Sequence, residues 1–579
     1  MTKIATVEEM RAIETAADKA GVSFAQMMDN AGRAVATRVK QIMEEFPEPR
    51  VVVLVGPGNN GGDGLVAGRL IAEETEATVT FFLVHPRDES DANFAKIKAA
   101  NLLVADGPTD AEQGYRVLRT MVANADVIID ALLGTGSRLP IKGDLEKVLR
   151  QIHKALDDRE AERPRPGFTT PERATPGMGR RPVVVAVDMP TGLNADTGEL
   201  DKNALYADET ITFEAAKPGH VTFVGADAVG ILHVAPLSLP EKFKERDHIQ
   251  RTLVDAPTVR ALFPQRPASA NKGTFGKALI VAGSLNYIGA PALAAQGAYR
   301  VGAGLVTVAA PQPVVPMLAS HITESTWILL PHDLGVINEP AAAVVREEMP
   351  AYSAMLIGPG LGREDATKEF LEALLVREKK AAYAQRHLGF VPEAVGTGDS
   401  SDDADQDKLP PLIVDADGLN LLATMDEWWT RLPARTILTP HPGEMARLAQ
   451  IEPTDQQTAV EIVQSNRLGL ANESAAKWNC VVVLKGAHTV IADPDGRLSV
   501  IPFATAALAR AGTGDVLAGA IIGYLAQGLD PFDAAVAAAY VHGYAGELAA
   551  TYLGTKASVL ASDVVNALPD AISAIEVAE

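Results

Sequence analysis

Cysteine is all but missing from this chain. Cys480 is the single one in 579 residues, which excludes an internal disulfide and a cysteine-rich metal site. Beside the apolar run 481–484 it reads as a small buried hydrophobe. Basic charge is also in deficit. Against 74 Asp and Glu stand 52 Lys and Arg, a net charge of −22. That excludes a broad footprint for nucleic acid or for an anionic membrane. An anionic ligand would depend on backbone N–H groups or single basic residues. Long apolar runs are missing too. The start, "MTKIATVEEMRAIETAADKAG", is polar and amphipathic and lacks an export core. Later apolar stretches are broken by Arg300, Asp515, Asp533 and His542, so none reads as a membrane span. The expectation is a cytoplasmic protein with no nucleic-acid and no membrane partner.

What is present is a long globular chain, too long for one ordinary core. Its first half alternates β-rich runs (51–55, 78–84, 127–130, 183–187) with helical patterns (64–74, 144–156). Such alternation predicts a mostly parallel sheet with helices on both faces. A polar stretch, 237–255, carries no clear strand and marks a domain boundary. The alternation then resumes, with strands expected at 277–281, 305–308, 355–357, 412–414, 436–438 and 481–484 and alanine-rich helices near 515–527 and 533–551. The motifs of the two halves differ, so the chain reads as a fusion of two α/β units. Two segments rich in Pro, Gly and charge, 157–182 and 377–411, read as surface inserts.

In "VVVLVGPGNNGGDG" an apolar run enters a loop of five glycines, two asparagines and one aspartate. Gly56, Gly58 and Gly61 satisfy GxGxxG, the turn that aims backbone N–H groups at a dinucleotide phosphate. An ordinary NAD site also needs an acid at the end of the second strand. Here that strand, "TVTFFLVHP", ends in His85 and Pro86. Asn59, Asn60 and Asp63 are more than turning requires, and their oxygens are hard ligands suited to alkali or alkaline-earth cations. "VIIDALLGTG" places Asp130 at another strand end before a second glycine loop. "VVVAVDMPTG" places Asp188 and Thr191 at a third. Each alone fits an Asx-turn or a helix cap. Three on one sheet edge point to a ligand site.

"MMDNAG" (27–32), "GPGNNGGDG", "DALLGTG" and "VDMPTG", in that order, resemble the NAD(P)H-hydrate epimerase domain over residues 1–245. The resemblance implies a Rossmann-like three-layer sandwich. It also implies a potassium ion held by Asn60, Asp130 and Thr191, where the family usually has Ser at the position of Thr191. The substrate would be lined by Asn59, Asn60, Gly61, Gly62 and Asp63, by the loop Gly134, Thr135, Gly136, Ser137, Arg138, Leu139 and Pro140, and by Asp188. The dinucleotide met by the loop would then be a damaged one, a substrate. Asp188, ending an apolar strand, is the expected acid/base residue.

In the second half, "RAGTGDVLAG" (510–519) sets small residues and an aspartate before an apolar helix. Asp515 there is either an N-cap or a general base beside an anion hole. "VAGSLNYIGAPALAA", "IGPGLG", "IVDADGLN", "ILTPHPGE" and "VVLKGAHTVI" accompany it. The ordered set resembles the ADP- or ATP-dependent NAD(P)H-hydrate dehydratase, with a ribokinase-like three-layer sandwich over residues 250–579. The resemblance implies that Ala290, Gly360 or Gly362, and His441 touch the hydrated dinucleotide. It implies that Lys485, Gly486, Ala487, His488, Thr489 and Gly514 hold the adenine nucleotide, and that Asp515 faces the substrate hydroxyl. The family's Asn-x-Gly before this loop is replaced by "PFATAALARAGTGD".

As a whole the chain resembles the bifunctional NAD(P)H-hydrate repair enzymes. That implies epimerisation of the R to the S hydrate of NADH or NADPH, then dehydration of the S hydrate with ADP (or ATP). Potassium and magnesium are the implied cofactors, and a homo-oligomer is the expected assembly. Two rivals remain at this point. One is a ribokinase-like small-molecule kinase with an accessory nucleotide-binding domain. The other is a non-catalytic binding module, against which Asp63, Asp130 and Asp188 argue.

Overall fold

The run Arg50–Val55 is buried from its second residue on, because both faces of its sheet are covered. Val51, Val53 and Val55 join Phe81, Ile129 and Val185 under the helices Val7–Lys19, Phe24–Met43 and Asn59–Glu74. Val52 and Leu54 join Phe82, Ile128 and Val184 on the other face, under the helices Arg116–Asn124 and Asp144–Ala161. The period of two along the strand thus divides between two apolar layers. The computed structural model describes residues 2–88, 90–161, 181–240, 242–375 and 409–578. Most of both expected inserts, 157–182 and 377–411, lies outside them.

The chain separates into two compact units, Thr2–Thr252 and Leu253–Glu579. The first holds a parallel sheet in the order Leu103–Asp106, Thr78–Leu83, Arg50–Val55, Val127–Ala131, Val183–Val187, Glu209–Phe213 and Ile231–Ala235. Strand order reverses between Arg50–Val55 and Val127–Ala131. A crevice therefore opens there at the carboxyl ends, the usual ligand position of an open α/β sheet.

In the second unit seven parallel strands run in the order Thr326–Leu330, Leu305–Pro311, Lys277–Val281, Ala354–Ile357, Leu412–Val414, Ile437–Leu438 and Val481–Leu484. Val490–Ala492 and Leu498–Val500 continue it antiparallel. One face buries Ile280, Val308, Leu356 and Val483 against the helices Gly289–Arg300, Thr513–Ala526 and Pro531–Leu553. The last two helices are apolar nearly all round because other helices enclose them. Among the described residues no helix is long and apolar enough to cross a membrane.

Two expectations need correction. The residues after Gly58 are helical: the helix begins at Asn59 and not near 64, so Asn59 to Asp63 form its first turns. Low helix propensity is overridden by close packing; a β-carbon at Gly61 would overlap the Gly56 carbonyl oxygen. The stretch 237–255, expected to lack a strand, contains Arg251–Leu253.

Candidate active sites

At the switch point of the first unit the Gly56 N–H donates to Ala131 O at 3.0 Å, joining the two strand ends. A side chain at Gly56 would run into the Leu132 carbonyl. The helix Asn59–Glu74 starts behind Gly58 with no side-chain cap. Its first N–H groups lack intrahelical partners, and the helix dipole adds partial positive charge, so this end suits a phosphate. Arg87, which the sequence reading passed over, donates to Gly56 O at 2.8 Å while ion-paired to Asp91 at 2.6 Å, and so braces the loop.

Asp130 is fully buried at its strand end. One of its oxygens accepts the Thr191 hydroxyl at 2.7 Å and the other the Thr191 N–H at 2.8 Å. The Thr191 hydroxyl also accepts the Leu133 N–H at 3.1 Å. Burial raises the Asp130 carboxyl to about 6, against those hydrogen bonds. Asn60 lies against Gly134: a β-carbon there would be 3.3 Å from Asn60 Oδ1. Both polar atoms of the Asn60 amide are buried with no hydrogen-bond partner. An orphaned amide costs about 1–3 kcal/mol. With the Asp130 and Thr191 oxygens, it makes an all-oxygen donor set that fits a hard monovalent cation better than zinc. In the loop from Gly134 to Pro140 the Ser137 hydroxyl donates to Leu193 O at 3.2 Å, while Gly136, Arg138 and Pro140 are exposed.

Asp188 follows the strand Val183–Val187 with φ of 62°, a conformation unusual for a side chain other than glycine. Its carboxylate accepts the Lys217 ammonium at 2.6 Å and the Thr212 hydroxyl at 2.9 Å. His220 secures the main chain. It accepts the Lys217 N–H through Nδ1 at 3.1 Å, so Nε2 carries the proton donated to Asp188 O at 2.9 Å. Burial, then the Lys217 charge, pushes His220 down to about 3. Burial would also raise the Asp188 carboxyl, but Lys217 outweighs it and holds the group below its ordinary range. Asp63 goes the other way, driven well up by burial and then by the negative charges of Asp188 and Glu14. Glu14, on the helix Val7–Lys19, is raised by burial and by Asp188. Lys217, His220 and Glu14 were missed from sequence. The available signal was the β-branched and aromatic run Glu209–Phe213, one more strand end on the same edge.

In the second unit the helix Thr513–Ala526 also opens without a side-chain cap, behind Gly512 at φ 91°. Asp515 sits in its first turn, with its carboxyl raised to about 7 by burial and then by Asp415. The capping alternative for Asp515 is not realised, since the N-cap position is Gly512. The Lys485 ammonium donates to Asp415 at 2.7 Å and lies 3.9 Å from Glu444. It also reaches the start of the helix Thr513–Ala526, 3.5 Å from where a β-carbon of Gly514 would stand. The turn after Lys485 is braced from below. Buried Arg467 donates to Leu484 O at 2.8 Å and to Lys485 O at 3.3 Å. Thr489 donates to Gly486 O at 2.9 Å, and the half-buried His488 ring meets Ile501 O at 3.3 Å. Ala487 sits at the exposed tip of that turn.

Gly360, at φ 64°, lies beside Ala290: a β-carbon on it would be 3.1 Å from that of Ala290. Gly362 faces Asp417 instead, donating its N–H at 3.1 Å. Only Gly360 of the two thus shares the Ala290 surface. His441 is first of all a helix cap: Nδ1 accepts the Gly443 N–H at 3.0 Å, and Glu444 returns a bond to the His441 N–H at 2.8 Å. Burial and Lys485 lower its pKa to about 4, so the half-exposed ring is neutral.

Comparison with known proteins gives these two sites a family. Residues 278–382 and 397–570 match the family described as NAD(P)H-hydrate dehydratase, and residues 24–219 match the YjeF-related protein N-terminus. The bifunctional NAD(P)H-hydrate repair enzyme of Moorella thermoacetica is 34% identical over 557 residues, covering 95% of this chain and 92% of that protein. Its counterpart in Thermofilum pendens is 33% identical, covering 99% and 97%. That of Escherichia coli is 31% identical, covering 96% and 90%. A solved ADP/ATP-dependent NAD(P)H-hydrate dehydratase from Bacillus subtilis, co-crystallised with ATP and Mg2+, is 31% identical and covers 56% of this chain and 98% of that one, with a TM-score of 0.43. On its near end-to-end likeness to relatives above 30% identity, the chain belongs to the bifunctional NAD(P)H-hydrate repair enzymes.

Proposed function

We propose that residues 1–245 epimerise the R hydrate of NADH or NADPH to the S hydrate, and that residues 250–579 dehydrate the S hydrate at the expense of ADP (or ATP). The observation that carries this reading is common to both units. In each, a helix without a side-chain cap starts at the carboxyl edge of a parallel sheet, beside a carboxyl group with a perturbed pKa. The first site has two such carboxyls pushed apart, which is the usual sign of an acid and a base at work. Asp188, held as an anion, takes a proton from the water that adds to the ring carbon. Asp63, kept protonated, gives one to the hydroxyl that leaves the opposite face. Potassium would be held by Asn60, Asp130 and Thr191, where it supplies positive charge next to the substrate.

In the second site Asp515 takes the proton of the substrate hydroxyl. The hydroxyl oxygen of the substrate then attacks the terminal phosphoryl group of the nucleotide, which would be positioned by the N–H groups around Gly514 and by Lys485, and the shortened nucleotide leaves with the P–O electron pair. The ring hydroxyl becomes a phosphate ester. Phosphate leaves with the C–O electron pair, the neighbouring ring carbon loses a proton, and NADH or NADPH returns. Magnesium would enter with the nucleotide phosphates.

The test is incubation of both hydrate epimers with ADP and magnesium, following reduced-nicotinamide absorbance. Full recovery of absorbance from the mixture is expected. Recovery from the S epimer alone would remove the epimerase. A phosphorylated product that accumulates without absorbance would make the second unit a small-molecule kinase.

A further inference from the structure

Lys217 is the one lysine at the first site whose charge has been taken out of water. Only 2% of it is exposed. Its ammonium donates to Asp188 and to the Thr212 hydroxyl, both at 2.6 Å, and Thr212 passes its own proton to the same Asp188 oxygen at 2.9 Å. The three groups close a triangle on one carboxylate oxygen. The main chain is fixed at the same point, since Lys217 N–H, the His220 ring and Asp188 O form one continuous chain of hydrogen bonds. A lysine needed only to neutralise charge would not require a backbone relay back to its partner. We propose that Lys217 is a positioning residue for epimerisation, setting both the direction and the charge of the Asp188 carboxylate. This rests on the reading of Asp188 as the base.

The chemistry requires such a partner. A base in this pocket must ionise next to two other carboxyls, Asp63 from the helix Asn59–Glu74 and Glu14 from the helix Val7–Lys19. Burial disfavours that charge, and the charge, once formed, raises both neighbours. His220 is neutral and contributes no charge. Lys217 is therefore the cation that allows Asp188 to be the ionised member of the group. Its removal leaves burial without its main counterweight, and the Asp188 carboxyl rises. A base that must be deprotonated then works only at higher pH.

The experiment measures conversion of the R hydrate of NADH by the full-length protein, with the epimers separated by chromatography, across a pH series. Lys217→Met should lower kcat about 10- to 100-fold, part of what a positioned general base supplies, with KM within about 3-fold. The acid limb of its profile should move to higher pH. Lys217→Arg keeps the charge and should leave that limb in place while kcat falls from altered geometry. A Lys217→Met profile with an unmoved limb, or equal limb shifts in both variants, would overturn the proposal. If circular dichroism shows that Lys217→Met does not fold, Lys217→Arg decides alone: a lower kcat with the limb in place supports the role, and a wild-type kcat or a moved limb overturns it. Asp188→Asn separates the two readings. Wild-type epimerisation by Asp188→Asn removes the base assignment itself, whereas an inactive Asp188→Asn beside a wild-type Lys217→Met profile removes only the role of Lys217.

Discussion

The Lys485 ammonium lies 2.7 Å from a carboxylate oxygen of Asp415, and this ion pair sets the charge around Asp515. Burial comes first in raising the Asp515 carboxyl to about 7; Asp415 adds to it and Lys485 opposes it. Below about pH 7 the group is protonated and cannot accept a proton. Dehydration of the S hydrate should therefore climb with pH through about 7 and level off above it. Asp415→Asn removes a negative neighbour while Lys485 stays, so the acid limb should move to lower pH. The pH profile of kcat/KM checks this; a limb that moves upward would contradict it.

Asp515 should control turnover and not nucleotide affinity. Phosphoryl transfer depends on positioning and electrostatics, so loss of the base acts mainly on kcat. Asp515→Asn should reduce dehydration by at least ~100-fold and keep ADP binding within about 3-fold. Lys485→Ala should instead weaken ADP binding by ~10-fold or more, the worth of a charge-assisted hydrogen bond. Calorimetric ADP affinity, set beside the dehydration rate, tests both. If Asp515→Asn loses ADP altogether, or dehydrates at wild-type speed, its role is wrong.

Most strands inside each sheet were legible in the sequence because both of their faces are buried, giving unbroken apolar runs such as 51–55 and 481–484, but Glu209–Phe213, with Glu and two Thr, was not. Edge strands were not. Leu103–Asp106 and Ile231–Ala235 leave Leu103 66% and Ile231 60% exposed, so neither shows a clean run or alternation. The helix starting at Asn59 was read as loop, since Asn and Gly disfavour helix and only the tight approach to the Gly56 strand end decides otherwise. The same limits apply at the sites. Asp188 and Asp515 were visible from strand and loop context. Lys217 was not, because the strand before it had not been recognised and a lone lysine in "KPGH" carries no spacing signal. Glu14 is brought to the site from an amphipathic helix far earlier in the chain, which only tertiary packing reveals.

Gly56 tests the close approach at the first switch point. A side chain there meets the Leu132 carbonyl oxygen, which belongs to backbone held by the Asp130–Thr191 bonds and cannot give way cheaply. Gly56→Ala should destabilise the first unit by about 1–3 kcal/mol, the cost of overpacking a tight site, and should abolish epimerisation. Dehydration of the S hydrate should persist, since the second unit has its own core. Scanning calorimetry should show one transition moving down while the other stays. A single transition moving as a whole would show that the units do not unfold separately.

Epimerisation should depend on potassium through the Asn60 amide. Both amide atoms are buried beside Gly134 without a partner, whereas Asp130 and Thr191 are mutually satisfied. An unpaired buried amide costs about 1–3 kcal/mol, which a cation bound at its oxygen would offset. An amide oxygen, a carboxylate and a hydroxyl make a hard, weakly charged set, suited to a monovalent cation that must leave room for a phosphate nearby. Replacing potassium by tetramethylammonium should slow conversion of the R hydrate and spare dehydration of the S hydrate. Asn60→Ala should raise the potassium concentration needed for half-maximal epimerisation. Thermal stability gives an independent readout: potassium should raise the melting temperature of the first unit in the wild type and much less in Asn60→Ala, because a ligand stabilises only the state that binds it. Equal R-hydrate rates in both salts, together with a melting temperature indifferent to potassium, would leave the Asn60 amide without a cation.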